Sequence, residues 1–82
     1  MLDRDAPEQA VLHHFRTNVR ALRLAAGLTL KKAAWLGQMH WRYWRKLEEG
    51  SPTVTLETLI RVATVLKVDA ATLLAEPAQA AH

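Results

Sequence analysis

The chain has 82 residues, 50% of them hydrophobic, with eleven Lys or Arg against eight Asp or Glu, a net charge of +3 and no cysteine. A chain of this size buries only about 60 to 65% of its unfolded surface, which bounds it to one small domain with a modest core and leaves little room for a large enzyme cleft. The composition excludes disulfide scaffolds, thiol nucleophiles and cysteine-based zinc or iron–sulfur sites, and no apolar run approaches the roughly 18 residues needed to cross a bilayer.

Met1-Leu2-Asp3-Arg4-Asp5 carries acids where a secretory signal has a basic start and an apolar stretch, so a cytoplasmic location is the expectation. No window alternates polar with apolar residues as a strand does. Pro7, Gly27, Gly37, Gly50, Pro52 and Pro77 punctuate stretches rich in Ala, Leu, Arg and Lys, which predicts an all-α fold of five helices. The first helix is expected to open at Asp5, with Glu8 completing a capping box. Its core stripe is Val11, Phe15, Val19, Leu22 and Ala26, with Arg16, Arg20 and Arg23 on another face and Gly27 closing the helix.

Thr29 caps a short second helix whose inward residues are Leu30, Ala33, Ala34 and Gly37. In this register Trp35 and Leu36 point outward, an apolar pair that hints at a protein partner. A third helix runs from about residue 40 to residue 49 and ends at Gly50, with Trp44 and Leu47 inward, flanked by Tyr43. Residues 51 to 54 form a loop. Thr55 caps a fourth helix with the inward set Leu56, Leu59, Ile60, Ala63 and Leu66, and Asp69 caps a fifth carrying Leu73 and Leu74. The predicted organisation is an N-terminal arm over residues 1–7, a domain over 8–75 and a flexible tail over 76–82, where apolar bulk is too small to dock.

Between Gln9 and Leu47 there is no Asp or Glu, while Arg16, Arg20, Arg23, Lys31, Lys32, Arg42, Arg45 and Lys46 all fall in that span. Such a cationic half either solvates exposed faces or attracts a polyanion, of which nucleic acid is the obvious one. The third helix favours the second reading. Trp41, Arg42, Arg45 and Lys46 project away from Trp44 and Leu47, so the helix has an apolar back and a hydrogen-bonding front that fits a major groove about 12 Å wide. Arginine can grip guanine through two parallel hydrogen bonds, and lysine can serve a base or a phosphate.

Leu28-Thr29-Leu30-Lys31-Lys32-Ala33-Ala34, Leu47-Glu48-Glu49-Gly50 and Thr55-Leu56-Glu57-Thr58-Leu59 follow in order, continued by Arg61-Val62-Ala63, Leu66-Lys67-Val68-Asp69 and Thr72-Leu73-Leu74. This set resembles the phage-repressor (Cro and repressor-like) helix-turn-helix family, also called the xenobiotic-response-element type, over about residues 15 to 74. The resemblance implies a five-helix lambda-repressor-like DNA-binding domain with the helix-turn-helix at helices two and three. It implies base-reading by His40, Trp41, Arg42, Arg45 and Lys46, and phosphate contacts at Thr29, Leu30 and around residues 49 to 53, which include Ser51 and Thr53. Backbone amides at the start of helix two can hold a phosphate, and Lys31 and Lys32 stand beside them as phosphate ligands or as a solvated pair. Phe15, Leu22, Ala34, Trp44, Leu47, Leu59 and Ala63 are the implied core, and Arg23 and Glu48 an implied ion pair tying helix one to helix three, worth up to about 1 kcal/mol if exposed.

Several positions depart from the family pattern. Gln38 stands where the turn usually has glycine, with Gly37 one place earlier, so the turn is open to reshaping; His40 replaces the usual Ser or Thr cap; Lys67 replaces a glycine between helices four and five. Trp44 is larger than the usual Ile or Val, and Ala33 and Gly37 are smaller than the usual leucines, an exchange that conserves volume. Trp41 can contact a thymine methyl or cover the core edge.

The function implied is a sequence-specific regulator of transcription on double-stranded DNA, a repressor acting as a homodimer on a pseudo-palindromic operator, with residues 68 to 74 as the dimer contact by analogy. The alternative is a protein-interaction module, such as an antitoxin or a degenerate helix-turn-helix that binds a protein through Trp35 and Leu36. No cofactor, metal or membrane is expected. His13 and His14 are adjacent and diverge by about 100°, with no second pair or nearby carboxylate to complete a metal or catalytic site.

Overall fold

In the computed structural model of the protein, which describes residues 6–50 and 53–77, α1 spans Ala6–Ala25, α2 Leu30–Leu36, α3 Trp41–Glu49, α4 Leu56–Leu66 and α5 Ala70–Leu74. No strand occurs among the described residues, so the fold is all-α with five helices, as the sequence predicts. The expected Asp5 cap lies outside the described residues.

Local chemistry sets the helix ends. Gly27 turns left-handed at φ 73°, and the Leu28 amide donates to the Arg23 carbonyl at 3.1 Å, closing α1. Thr29 Oγ1 accepts from the Lys32 amide at 3.0 Å and Thr55 Oγ1 from the Thr58 amide at 3.1 Å, starting α2 and α4. His40 also caps: its ring Nδ1 accepts from the Arg42 amide at 3.0 Å, so the departure from Ser or Thr still leaves a side-chain acceptor at the start of α3. Asp69 precedes α5 without making a side-chain cap. Instead the other end of α5 is pinned, because Asn18 Nδ2 on α1 donates to the carbonyls of Thr72, Leu73 and Ala75 at 3.2, 3.0 and 2.8 Å.

The turn between α2 and α3 keeps its length without a glycine at its left-handed position. Gln38 itself takes φ 58°, a conformation that costs a side-chain-bearing residue about 1–2 kcal/mol. Gly37 has φ −89° and is small for a different reason: a Cβ there would lie 3.1 Å from Met39 Cε and 3.3 Å from Val65 Cγ2. Lys67 likewise adopts φ 61° at the α4–α5 corner.

The core gathers Phe15 and Val19 of α1, Ala33 and Ala34 of α2, Trp44 and Leu47 of α3, Leu59, Val62, Ala63 and Leu66 of α4, and Leu73 of α5. Several sequence expectations are corrected here. Leu22 is only partly buried, packed against this cluster; Val11 lies one turn before Phe15, past the core's edge, and is exposed; Ala26 follows the end of α1 and is exposed. On α4 the buried stripe is 59, 62, 63 and 66, so Ile60, roughly 110° from its centre at 100° per residue, is exposed, as is Leu56. Val62 takes the inward place instead. Leu73 is fully buried, whereas Leu74 is exposed.

Candidate nucleic-acid interface

α3 is fixed from behind. Trp44 and Leu47 are fully buried, and the Trp44 indole Nε1 donates to Glu48 Oε2 at 2.8 Å, a bond made by side chains one turn apart. The same carboxylate accepts from Arg23 Nε at 2.6 Å and from Arg23 Nη2 at 3.0 Å, while Arg23 Nη1 donates to the Leu28 carbonyl at 2.9 Å. The Arg23 and Glu48 side chains are only 10% and 5% exposed. This is a buried bidentate pair shared with an indole, so the small value of an exposed ion pair does not apply. It joins α1, the α1–α2 turn and α3 in one hydrogen-bonded unit, which fixes the direction of the third helix.

The opposite side of α3 is cationic and open. Arg42, Arg45 and Lys46 are exposed, and Arg45 Nε lies 3.7 Å from Glu49 Oε2 in a long, solvated contact one turn along. Such pairs contribute about 0.3–0.5 kcal/mol, too little to hold the guanidinium away from a stronger anion. Arg42 and Lys46 form no ion pair among the described residues.

Trp41 stands at the centre of this surface. Its ring is half-buried against the core, and around it lie Lys31 Nζ at 5.7 Å, the Arg42 guanidinium at 5.5 Å and the Arg45 guanidinium at 5.6 Å from the centroid. The His40 ring stacks on it at 6.0 Å. One indole therefore gathers two arginines of α3 and a lysine of α2, partly offsetting the repulsion among three like charges. Since His40 Nδ1 accepts the Arg42 amide, a neutral His40 ring carries its proton on Nε2, leaving one donor.

The predicted phosphate ligands are placed less uniformly. Thr29 is exposed with its hydroxyl engaged in the α2 cap, and the Leu30 side chain is half-buried against the core. Lys31 belongs to the Trp41 group, whereas Lys32 Nζ sits 4.7 Å over the outward Trp35 ring. Thr53 is exposed, and Ser51 lies outside the described residues. No cluster of three metal-ligating side chains occurs among the described residues.

Two features escaped the sequence reading. The Trp44–Glu48 bond was available from their spacing of four, but only if Trp44 turned its polar edge toward its own helix end. The extension of positive charge onto α1 through Arg16 and Arg20 was visible as composition, but not its proximity to α3.

A family model described as a helix-turn-helix domain matches residues 14–76, from within α1 to just past α5. Comparison with curated proteins and with solved structures gives no match. With two helices joined by a short turn, the second locked by its buried face and the first beside it, and with the family model covering most of the sequence, the chain belongs to the helix-turn-helix domain family.

Proposed function

We propose that the protein is a sequence-specific regulator that binds double-stranded DNA, with α3 lying in the major groove. The observation that carries this reading is the gathering of Lys31, Arg42 and Arg45 around Trp41 on the side of α3 opposite Trp44 and Leu47. Three cations held within 5.5 to 5.7 Å of one ring, with one long solvated carboxylate contact among them, suit a polyanion better than solvent. Arg42, Arg45, Lys46, Trp41 and His40 read base edges; Lys31 and the backbone at Thr29 and Leu30 hold phosphates, with Lys32, Ser51 and Thr53 beside them.

The regulator acts as a homodimer and as a repressor in the cytoplasm, on half-sites about one helical turn, near 34 Å, apart. An apolar hollow of about 320 Å³ lined in part by Val11, Leu12, Leu56 and Leu74 supports self-association on the α5 side.

Selection of bound duplexes from a random pool tests the reading, followed by Arg42→Ala and Arg45→Ala. Loss of a base-reading arginine relaxes preference at particular positions, by about 1–3 kcal/mol each. Binding should also weaken with salt at a slope near −5 for six phosphate contacts. A second reading, a domain that grips a protein, is favoured by Trp35 and Leu36, 69% and 44% exposed on α2. Duplex affinity that is weak, unselective and flat in salt would replace the DNA reading with that one.

A further inference from the structure

Positive charge continues from α3 onto α1. His13, Arg16 and Arg20, spaced by three and four residues, share one face of α1 and line an open hollow of about 510 Å³ whose other wall holds Glu48 and Glu49 of α3. A second hollow, of about 340 Å³, has Arg20 on one side and Arg45 of α3 and Leu30 of α2 on the other. Arg20 therefore borders both, connecting the α1 face with the reading helix and with the start of α2. Arg16 reaches the same place from further back: its Nη1 lies 3.7 Å from where a Cβ on Gly50 would stand, at the C-terminal end of α3.

The charge in these hollows does not cancel. Glu48 is occupied by Arg23 and Trp44, and Glu49 has Arg45 at 3.7 Å. Arg16 and Arg20 form no ion pair among the described residues, which leaves two surplus guanidinium groups beside the reading helix. They stand about one helical turn, or roughly 6 Å, apart along α1. Along each DNA strand a phosphate recurs every 3.4 Å of axis, so two side chains so spaced can meet different phosphates of a single strand.

We propose that Arg16 and Arg20 form a second backbone-contact surface, on α1, for one strand of the duplex whose major groove α3 enters. The proposal rests on the DNA reading above and extends the contact beyond helices two and three. Phosphates are the partner here because the surface is open, cationic and set to the side of the helix that fills the groove. Its contribution is therefore independent of sequence.

The test measures affinity for a selected duplex between 50 and 200 mM salt for the wild type, Arg16→Ala, Arg20→Ala, the double variant and Lys67→Gly. Each α1 substitution should reduce the steepness of log affinity against log salt by about 0.9, and the pair by about 1.8, with the preferred sequence unchanged. Removing one phosphate-binding guanidinium then alters the affinity ratio across this fourfold salt range by about 3.5-fold. Lys67 lines neither hollow, so Lys67→Gly should keep the wild-type slope. Arg16→Gln and Arg20→Gln retain the stem and serve wherever circular dichroism shows that an alanine variant has lost its helices. An unchanged slope in the double variant, with a steep wild type, overturns the α1 surface and leaves the DNA reading intact. An equal drop for Lys67→Gly overturns it too, since the slope would then report net charge alone. A wild type that shows no salt-dependent duplex binding defeats both.

Discussion

Replacing Glu48 by alanine removes three hydrogen bonds at once, from Arg23 Nε at 2.6 Å, Arg23 Nη2 at 3.0 Å and Trp44 Nε1 at 2.8 Å. Arg23 would keep only the Leu28 carbonyl at 2.9 Å, and with its side chain only 10% exposed it would stay largely desolvated without its carboxylate. Breaking one side of a buried pair costs about 3–5 kcal/mol, and an indole N–H left without an acceptor adds about 1 kcal/mol or more. A domain of this length has about 4–12 kcal/mol in total. The variant therefore loses a third or more of its stability, where an exposed pair would cost at most about 1 kcal/mol.

Urea denaturation followed by far-ultraviolet circular dichroism measures this directly. With a slope near 1 kcal/mol/M for a small domain, the midpoint should fall by about 4 M or more, or the protein should be unfolded in buffer. Arg23→Met combined with Glu48→Gln should recover most of the loss, because neither charge is then buried and the glutamine oxygen still accepts from Trp44. The double-mutant cycle should give a coupling above about 2 kcal/mol. A Glu48→Ala midpoint shift under about 1 M would refute the argument, since the pair would then be behaving as a solvated one.

Trp44→Ala should cost about 3–5 kcal/mol and lower the melting temperature by more than about 10 °C, and little change would contradict the packing of its fully buried indole. Gln38→Gly and Lys67→Gly should each raise stability by about 0.5–1 kcal/mol, the left-handed strain relieved less the entropy glycine gives the unfolded chain; lowered urea midpoints would show that the side chains compensate. Trp41→Leu keeps apolar cover but no π face, so operator discrimination should fall about fivefold, as selected-duplex competition would show; an unaltered ratio means the arginines do not depend on the ring. Asn18→Ala should cost about 1–2 kcal/mol and speed amide exchange in α5 ahead of the other helices; uniform exchange would assign the clamp no local role.

Helix number and boundaries were legible because each signal is local. Thr29, Thr55, Gly27 and Gly50 act on amides and carbonyls within a turn of themselves. What was illegible depends on neighbours distant in sequence. The outward Leu56 and Ile60 and the inward Val62 follow from where α1 and α5 approach α4, and hydropathy makes all three equally good core residues. The Arg23–Glu48 pair was legible only through family resemblance; its burial, which decides its energy, comes from α1 lying across the end of α3. Trp41 could not be assigned between surface and core because it belongs to both, with one side of the indole against the cluster and cations over the ring.

The two sides of α3 are not independent. Trp44 is buried in one cluster with Ala33 and Ala34, whose small side chains give α2 a low profile and let the backbones of α2 and α3 come near each other, whereas Gly37 makes room for Met39 and Val65 instead of Trp44. That approach carries Lys31 from α2 to within 5.7 Å of the Trp41 ring on α3. The carboxylate one turn beyond Trp44 then ties the helix to α1 through Arg23, so rotation of α3 would break a buried bond before it moved a guanidinium. Side-chain volume in the core thus sets the spacing of charge on the surface. A change at Trp44 that preserved stability but altered the α2–α3 distance would still displace the cations around Trp41, and with them any ability to distinguish one base from another.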